Sequence, residues 1–332
     1  MEMHRGKRTV SLILLAAFFL LLLSGIVYWR SVGAELSNPR ADFWRAVRQG
    51  IPGSMSAPAE GHTVLILNSG ENWREIRNGL IMPASQWVIA LALLGMGLFY
   101  AFVGPEKLEK PRSGIRIERF TLRERILHWY TAAIFVIMGI SGLSLLLGRV
   151  GLIPVFGYGA VSAYLGAMKG VHNILGPFLL VGILLEFAVW VRFNIPEKID
   201  LQWFKSMGGM IGSGPRPHIG KINGGEKAWF WAILLFGTVV GVTGVLLDFP
   251  IWGQSRLTMQ VSHSVHAAAG VLFVTVSFGH IYMGTIGVEG AFEGMWNGSV
   301  DAVWAEQNHD LWYEEKIKTE GREIGRDAAE RE

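Results

Sequence analysis

Two kinds of residue are scarce in this 332-residue chain: cysteine, which is absent, and charged residues, which make up only 17%. Without cysteine the chain cannot form disulfides, ligate an iron–sulfur cluster, attach a c-type haem or use a thiol nucleophile. Soluble domains carry about 25% charged residues, so the shortage indicates a lipid environment. The net charge of +3 is small and no basic stripe interleaved with aromatics occurs, which argues against nucleic acid as a partner.

Long apolar segments occupy much of the chain, which is 51% hydrophobic and holds 42 Gly and 13 Trp. A helix that spans a membrane needs about 20 apolar residues. Six stretches qualify: 10–29, 86–104, 127–147, 170–191, 228–247 and about 263–286. The predicted fold is an all-α integral membrane protein, with a four-helix core over 127–287 preceded by additional N-terminal transmembrane helices.

The loop charges predict an orientation for these helices. Segments 105–126 and 192–227 are rich in Lys and Arg, whereas the intervening loops are not. The positive-inside rule therefore places both segments, together with the tail 288–332, in the cytoplasm. The segment 31–85 is then exported, and the expected location is the bacterial inner (cytoplasmic) membrane, with several passes through the lipid.

The first 85 residues leave one alternative open. Residues 1–30 are either a cleaved signal peptide or an uncleaved signal-anchor helix. Small residues at Val32-Gly33-Ala34 favour cleavage, but the apolar run exceeds the roughly 7–15 residues of a signal-peptide core. The exported segment 31–85 is too short and polar to bury a core of its own, so we expect it to dock a partner. Residues 86–104 form an extra transmembrane helix.

Four of the nine histidines lie at informative depths in the last four predicted helices. His128 and His280 lie near the cytoplasmic surface and are called the inner pair; His172 and His266 lie near the external surface and are called the outer pair. The 14 residues between His266 and His280 correspond to about 21 Å along a helix and to within about 40° of one face. One helix can therefore offer a ligand to each of two stacked sites.

The surroundings of these histidines favour a large flat ligand. A small residue follows each of them by four positions and so shares its helix face: Ala132, Gly176, Gly270 and Gly284. The rival His263 is turned about 100° away from His280, so it is expected at the rim of the outer site. The remaining histidines, His4, His62, His218 and His309, lie in loops or termini and are predicted to be surface residues.

Two b-type haems, each with its iron held by one histidine pair, satisfy this pattern best. Zinc is disfavoured because no cysteine or clustered carboxylate completes a tetrahedral site. The alternative for any single histidine is a hydrogen bond across a helix interface. Ionisable groups inside a membrane are costly, however, and four of them paired by depth favour a functional role.

Several motifs carry a resemblance to a known family. These are Glu124-Arg125 with His128-Trp129, Lys169-Gly170-Val171-His172, His280-Ile281-Tyr282-Met283-Gly284-Thr285, Gly70-Glu71-Asn72-Trp73-Arg74 with Arg77-Asn78-Gly79, and Gly290-Ala291-Phe292-Glu293-Gly294-Met295. Over about residues 40–315 the chain resembles the formate dehydrogenase gamma subunit family. The helices and histidines alone also fit the cytochrome b subunit of a hydrogenase or of another quinone-linked oxidoreductase.

The resemblance implies a four-helix di-haem cytochrome b. His172 and His266 would hold the outer haem, nearer an iron–sulfur beta subunit, and His128 and His280 the inner haem, nearer a quinone (menaquinone or ubiquinone). Formate would be oxidised in a separate molybdenum or tungsten alpha subunit and not by this chain. The family also places an asparagine beside the quinone, for which Asn223 is the candidate.

Two alternatives stay open at this point. Asn223 precedes a glycine and is equally explained as a plain turn residue. The whole chain is alternatively a haem-free membrane anchor or transporter.

Overall fold

The computed structural model describes residues 48–49, 73–210 and 216–329, with the backbone alone for residues 207 and 320–329. The predicted first helix, 10–29, and most of the exported segment lie outside these residues. In chain order the elements are α1 (Met82–Phe102), β1 (Arg116–Glu118), α2 (Leu122–Trp190), α3 (Lys198–Ser206), α4 (Gly224–Asp248), α5 (Arg256–Tyr282), α6 (Ala291–Asn297), β2 (Ser299–Asp301), α7 (Ala302–Asn308) and α8 (Asp310–Ala329).

Four helical stretches are long and apolar enough to cross a membrane: Trp73–Phe102, Leu122–Phe193, Gly224–Asp248 and Arg256–Gly287. They confirm the predicted all-α, multi-pass membrane fold. The first includes the π-helical segment Ile76–Ile81 and the last ends in the π-helical segment Met283–Gly287. The described helix therefore includes residues 73–85, part of the segment 31–85 that was predicted to be exported.

The 69-residue α2 contains two of the predicted spans. As one straight rod it would be about 100 Å long, more than three times the hydrocarbon core of a bilayer. Gly157 interrupts it with φ 75° and ψ 168°, a conformation that glycine adopts without a steric penalty. Contacts between its halves then run antiparallel: Trp190 with Glu124, Phe178 with Tyr130, His172 with Ser141 and Tyr164 with Ser144. We call residues 122–156 limb 1 and residues 158–190 limb 2.

Small residues let these helices approach closely. Ile183 of limb 2, only 1% exposed, packs onto Gly237 of α4, and Leu180 packs onto Gly241 one turn further along. Phe273 of α5 completes this buried layer together with Leu179. Close backbone approach at glycine is the usual source of attraction between helices in lipid, where hydrophobic burial contributes little.

The segment before α1 and α1 itself pack on the outside of this four-helix core. Ile81, Met82 and Ile89 are buried against Leu146 of limb 1 and Val271 of α5. The extra helix is therefore an integral part of the bundle.

A small cap closes one end of the bundle. Strands β1 and β2 pair antiparallel with Ile117 opposite Val300, and these two residues are buried with Trp304, Ala305 and Trp312. The cap joins parts of the three segments that were predicted to be cytoplasmic: the loop before α2, residues 216–223 before α4, and the tail. Their meeting at one end of the molecule agrees with a shared side of the membrane.

Candidate functional site

The four predicted histidines meet in two pairs, as their depths in the sequence predicted. In the inner pair, His128 of limb 1 and His280 of α5 have ring centroids 6.3 Å apart. In the outer pair, His172 of limb 2 and His266 of α5 have centroids 5.9 Å apart. Helix α5 is continuous between His266 and His280, so the pairs are about 21 Å apart along its axis.

Both separations would leave room for one metal ion between the two imidazoles of a pair. Two metal–nitrogen bonds of about 2.0–2.1 Å each, together with half the width of each ring, require centroids about 6 Å apart. Within the described ranges no group of three or more His, Asp or Glu side chains could hold a metal ion, so a clustered zinc site is not formed there. The donor set of each pair therefore fits a haem, whose porphyrin supplies the other four nitrogens.

The predicted gaps beside the histidines are only partly open. A Cβ built at Gly284 would meet nothing within 4 Å, and one at Gly270 would meet only Val240 at 3.9 Å. Gly176 instead faces Met138 of limb 1 at 3.6 Å, an ordinary van der Waals contact. The space that a flat ligand needs is thus clearest along α5.

The rival His263 does not face His172. Its ring lies 5.4 Å from that of Trp73, the residue at which the first described helix begins. This contact places Trp73 about one turn of α5 before His266, a member of the outer pair. The helical phasing that preferred His266 over His263 therefore agrees with the geometry.

Each imidazole of the outer pair is held at Nδ1 by a hydroxyl. Ser141 Oγ lies 2.9 Å from His172 Nδ1, and Thr243 Oγ1 lies 3.0 Å from His266 Nδ1. Gly142 and Gly244, the residues that follow these hydroxyls, pack against the same two rings. Ser141 and Thr243 were not among the residues predicted from the sequence, although each is followed by glycine, a repeated pattern that could have indicated them.

The inner pair is held differently. Trp229 of α4 stacks on His280 with 4.6 Å between ring centroids and 10° between planes. His128 Nδ1 is buried and has no hydrogen-bond partner among the described residues. Trp129 lies edge-on to the His128 ring at 5.1 Å. Aromatic contact, rather than hydrogen bonding, therefore orients these two rings.

An aromatic layer separates the two pairs. Phe273 lies midway between His266 and His280 on α5 and is 4% exposed. Its ring contacts Phe135 of limb 1 at 4.7 Å and Trp229 at 6.3 Å. Apolar aromatic side chains therefore fill the bundle between the two pairs.

The quinone candidate Asn223 has a structural role in capping a helix. It is the N-cap of α4: its Oδ1 accepts a hydrogen bond from the backbone N–H of Glu226 at 2.9 Å, while the Glu226 side chain accepts from the backbone N–H of Asn223 at 2.9 Å. The side-chain Nδ2 makes no hydrogen bond to another described residue. Asn223 also precedes Trp229 by six residues, which is about 9 Å along the helix from the residue that stacks on His280.

One prediction about the histidines is wrong. His309 is 1% exposed instead of lying at the surface, because it fills the centre of the cap. Its Nε2 lies 3.0 Å from Arg119 Nη2, and Arg119 also pairs with Glu226 at 2.7 Å. Burial and then the adjacent Arg119 charge lower the pKa of His309 to about 4. His218, by contrast, is exposed, and its contact with Asp310 raises its pKa.

Two further ionisable side chains are buried, which was not predicted from the sequence. Lys227, 5% exposed, reaches from α4 to Asp200 at 3.1 Å and Glu197 at 2.9 Å and so ties α3 to the bundle. Glu186 of limb 2 is 6% exposed and has the Thr131 hydroxyl as its hydrogen-bonding neighbour. Glu186 lies within an apolar run, where hydropathy alone does not indicate a single charge, and Lys227 lies in a lysine-containing loop segment that predicts exposure.

Comparison with known proteins identifies the family of this chain. Residues 119–298, which include both histidine pairs, match the family described as prokaryotic cytochrome b561. The nitrate-inducible formate dehydrogenase cytochrome b556(Fdn) subunit of Escherichia coli strain K12 is 30% identical over 211 residues, covering 62% of this chain and 94% of that protein.

Two other relatives carry similar names. The formate dehydrogenase cytochrome b556(fdo) subunit of E. coli strain K12 is 28% identical over 206 residues, covering 61% of this chain and 94% of that protein. The formate dehydrogenase cytochrome b556 subunit of Haemophilus influenzae is 26% identical over 213 residues, covering 61% and 84%. This chain therefore belongs to the prokaryotic cytochrome b561 family, with formate dehydrogenase cytochrome b subunits as its relatives.

Proposed function

We propose that this chain is the membrane subunit through which a respiratory formate dehydrogenase passes electrons to quinone. Formate is oxidised in a partner alpha subunit that carries molybdenum or tungsten, and an iron–sulfur beta subunit delivers the electrons to the outer side. The observation that carries the proposal is the pair of facing imidazoles at each of two depths on one continuous helix, α5.

His172 with His266 and His128 with His280 would hold two b haems, which supply reversible one-electron transfer when bound. The chain's own residues fix the ligand rings and keep the space between the pairs dry. Phe273 and its aromatic neighbours fill the bundle between the two depths. The iron–sulfur partner would contact the exported segment, whose Trp73 packs against His263, about one turn of α5 before His266.

Haem content and redox spectra test this proposal directly. A pyridine haemochrome assay on the purified chain should give two haems per polypeptide, and His172→Ala and His128→Ala should each remove one. His263→Ala should remove none. A polypeptide with one haem or none would contradict the di-haem proposal, and the absence of any reduced-minus-oxidised band would favour a haem-free anchor.

Quinone would bind on the cap side, beside Asn223 and the edge of the inner pair. An amide offers donors to a quinone carbonyl, and the Nδ2 of Asn223 is not used by another described residue. Its Oδ1, already occupied by the Glu226 N–H, retains a second lone pair for a quinol hydroxyl. Reduction at this depth takes protons from the cap side while electrons arrive from the other, which separates charge.

Two substitutions distinguish quinone binding from helix capping. Asn223→Asp keeps an N-cap oxygen but removes the amide donor, whereas Asn223→Leu removes both. Both variants should slow formate-to-quinone turnover while the haems remain reducible by formate, and only Asn223→Leu should lose about 0.5–2 kcal/mol of stability. If Asn223→Asp turns over like the wild type, Asn223 is a cap and the quinone binds elsewhere.

The proposed orientation puts the cap in the cytoplasm. Reporter fusions at Gly114, in the loop before β1, should report the cytoplasm, and fusions at Tyr158, at the tip of the α2 hairpin, should report the periplasm. Fusions at Ala57 in the exported segment should also report the periplasm. A shared compartment for Gly114 and Tyr158 would refute the topology.

The identity of the catalytic partner is a separate question, since hydrogenases and other quinone-linked oxidoreductases also use membrane cytochrome b subunits. The relatives named above are all formate dehydrogenase subunits, which favours that partner. Purification of the complex from native membranes decides it. A formate-reducible complex supports the proposal, and a hydrogen-reducible one assigns the chain to a hydrogenase.

A further inference from the structure

The same two-residue motif, a hydroxyl residue followed by glycine, contacts each imidazole of the outer pair. On limb 1 the motif is Ser141-Gly142, which faces His172; on α4 it is Thr243-Gly244, which faces His266. In each case the hydroxyl meets Nδ1 and the glycine meets the neighbouring ring carbon Cε1. A Cβ on Gly142 would lie 3.1 Å from His172 Cε1, and one on Gly244 would lie 3.3 Å from His266 Cε1.

The direction of these hydrogen bonds follows from the proton of each hydroxyl. Ser141 Oγ donates to the Met138 carbonyl at 3.1 Å, and Thr243 Oγ1 donates to the Val239 carbonyl at 2.6 Å. A hydroxyl has only one hydrogen, so towards the imidazole it accepts. Each ring therefore carries its proton on Nδ1 and leaves Nε2 with a free lone pair, which is the form that binds a metal.

The inner pair lacks this arrangement. His128 Nδ1 has no hydrogen-bond partner among the described residues, and His280 is held by the flat contact with Trp229. Donation from Nδ1–H to an acceptor makes the opposite nitrogen a stronger base. A more electron-rich ligand stabilises the oxidised, more positive iron and so lowers its reduction potential.

We infer that Ser141 and Thr243 are positioning residues that orient His172 and His266 and give the outer haem the lower of the two reduction potentials. The inference rests on the proposed function, because it requires two haems. It deepens that proposal by making electron flow from the outer to the inner pair energetically downhill. The chain itself, and not only the catalytic partner, then sets the direction.

A redox titration of the purified chain tests this ordering. Wild-type protein should show two resolved midpoint potentials, and His172→Ala should abolish the lower one. Ser141→Ala and Thr243→Val should each raise the lower midpoint and leave the higher one in place. Thr243→Ser, which retains the hydroxyl, should restore the wild-type value.

Matched controls exist on limb 1 and on α5. Ser144, one turn beyond Ser141, donates to the Ile140 carbonyl and contacts Tyr164 instead of an imidazole, so Ser144→Ala should leave both midpoints unchanged. Thr275 of α5 donates only to the Val271 carbonyl, which makes Thr275→Val the counterpart of Thr243→Val. The EPR signal of the outer ferric haem should change in the two test variants but not in the controls, because it reports the mutual angle of the imidazole planes.

Haem content tests the proposed function, and the assignment of the midpoints tests the inference. Fewer than two haems in the wild type would contradict the proposed function and the inference with it. Two haems with the lower midpoint assigned to the inner pair would overturn the inference alone, as would midpoints that do not respond to Ser141→Ala and Thr243→Val. Loss of the lower-potential haem from Ser141→Ala, with both haems kept in Ser144→Ala, would support it.

Discussion

Trp229 lies flat on His280, with 4.6 Å between ring centroids and 10° between the ring planes. The two residues come from different helices, α4 and α5. Trp229 also touches Phe273, the residue midway between the two histidine pairs. A single indole therefore both fixes the plane of one inner histidine and belongs to the aromatic layer that separates the pairs.

Removing this indole should disturb the inner haem selectively. Trp229→Leu leaves the His280 ring without its stacking surface, so we expect a lower inner haem content or an altered inner EPR signal, with the outer haem unchanged. Trp229→Phe retains an aromatic face and should be close to the wild type. Trp231→Leu is the control, because Trp231 bonds the Asn194 carbonyl and not a histidine. An equal effect of Trp229→Leu on both haems would contradict a local role.

The histidine pairs could be predicted from the sequence because helical geometry is regular. Depth follows from position in an apolar run, and phase follows from about 100° per residue, so two ligands on one helix were recognisable without any contact information. The sequence predicted a loop between the two spans of α2, but it did not predict that the chain turns at Gly157.

The supporting residues could not be predicted in the same way. Ser141 meets His172 only because the α2 hairpin folds limb 2 against limb 1, and that register depends on packing across helices. The burial of His309 likewise depends on the tail returning to residues 216–223 beneath the sheet. Asn223 could not be assigned from the sequence for a different reason. A turn residue and a quinone contact are both expected just before α4, so its position does not distinguish them.

A methyl group at Gly142 should weaken the outer site. The Cβ of Gly142→Ala would lie 3.1 Å from His172 Cε1, closer than most real contacts, so the ring must move away from Ser141. We expect lower outer haem content or a raised outer midpoint potential, measured by haemochrome assay and redox titration. Gly166→Ala, at an open position of limb 2, should have no such effect. Unchanged haem properties in Gly142→Ala would show that close packing of Gly142 does not position the His172 ring.

The stability of the cap should fall in mild acid because of His309. Its Nε2 accepts from Arg119 and its Nδ1–H donates to the Gly220 carbonyl at 2.7 Å, so the folded cap requires the neutral ring. Burial and Arg119 lower the pKa of His309 to about 4. Glu226 and Asp310 raise this pKa, but by less than burial and Arg119 lower it. The unfolded ring has a pKa of about 6.5 and so binds more protons between these values.

Stability should therefore decline as the pH falls from about 6.5 towards 4, by at most about 1.4 kcal/mol per pH unit for this one group. Hydrogen exchange of the amides in α7, followed against pH, measures the change. His309→Gln removes the titrating ring and should flatten the dependence in this window. A wild-type profile that is already flat would contradict the assignment.

Glu186 should be neutral in the folded bundle. It is 6% exposed within limb 2, and no charged side chain among the described residues is paired with it. Its neighbour Thr131 donates its hydroxyl proton to the Leu127 carbonyl at 3.1 Å and is therefore free to accept from a protonated carboxyl. An unpaired carboxylate at this depth would be costly.

Glu186→Gln should consequently preserve thermal stability in detergent, since an amide also donates to Thr131 and carries no charge. Glu186→Lys should destabilise strongly, because a cation would be buried without a partner. The infrared carboxylic-acid C=O band of the wild type should disappear in Glu186→Gln. A strongly destabilised Glu186→Gln, or a wild type without that band, would show that the folded protein holds Glu186 as a carboxylate.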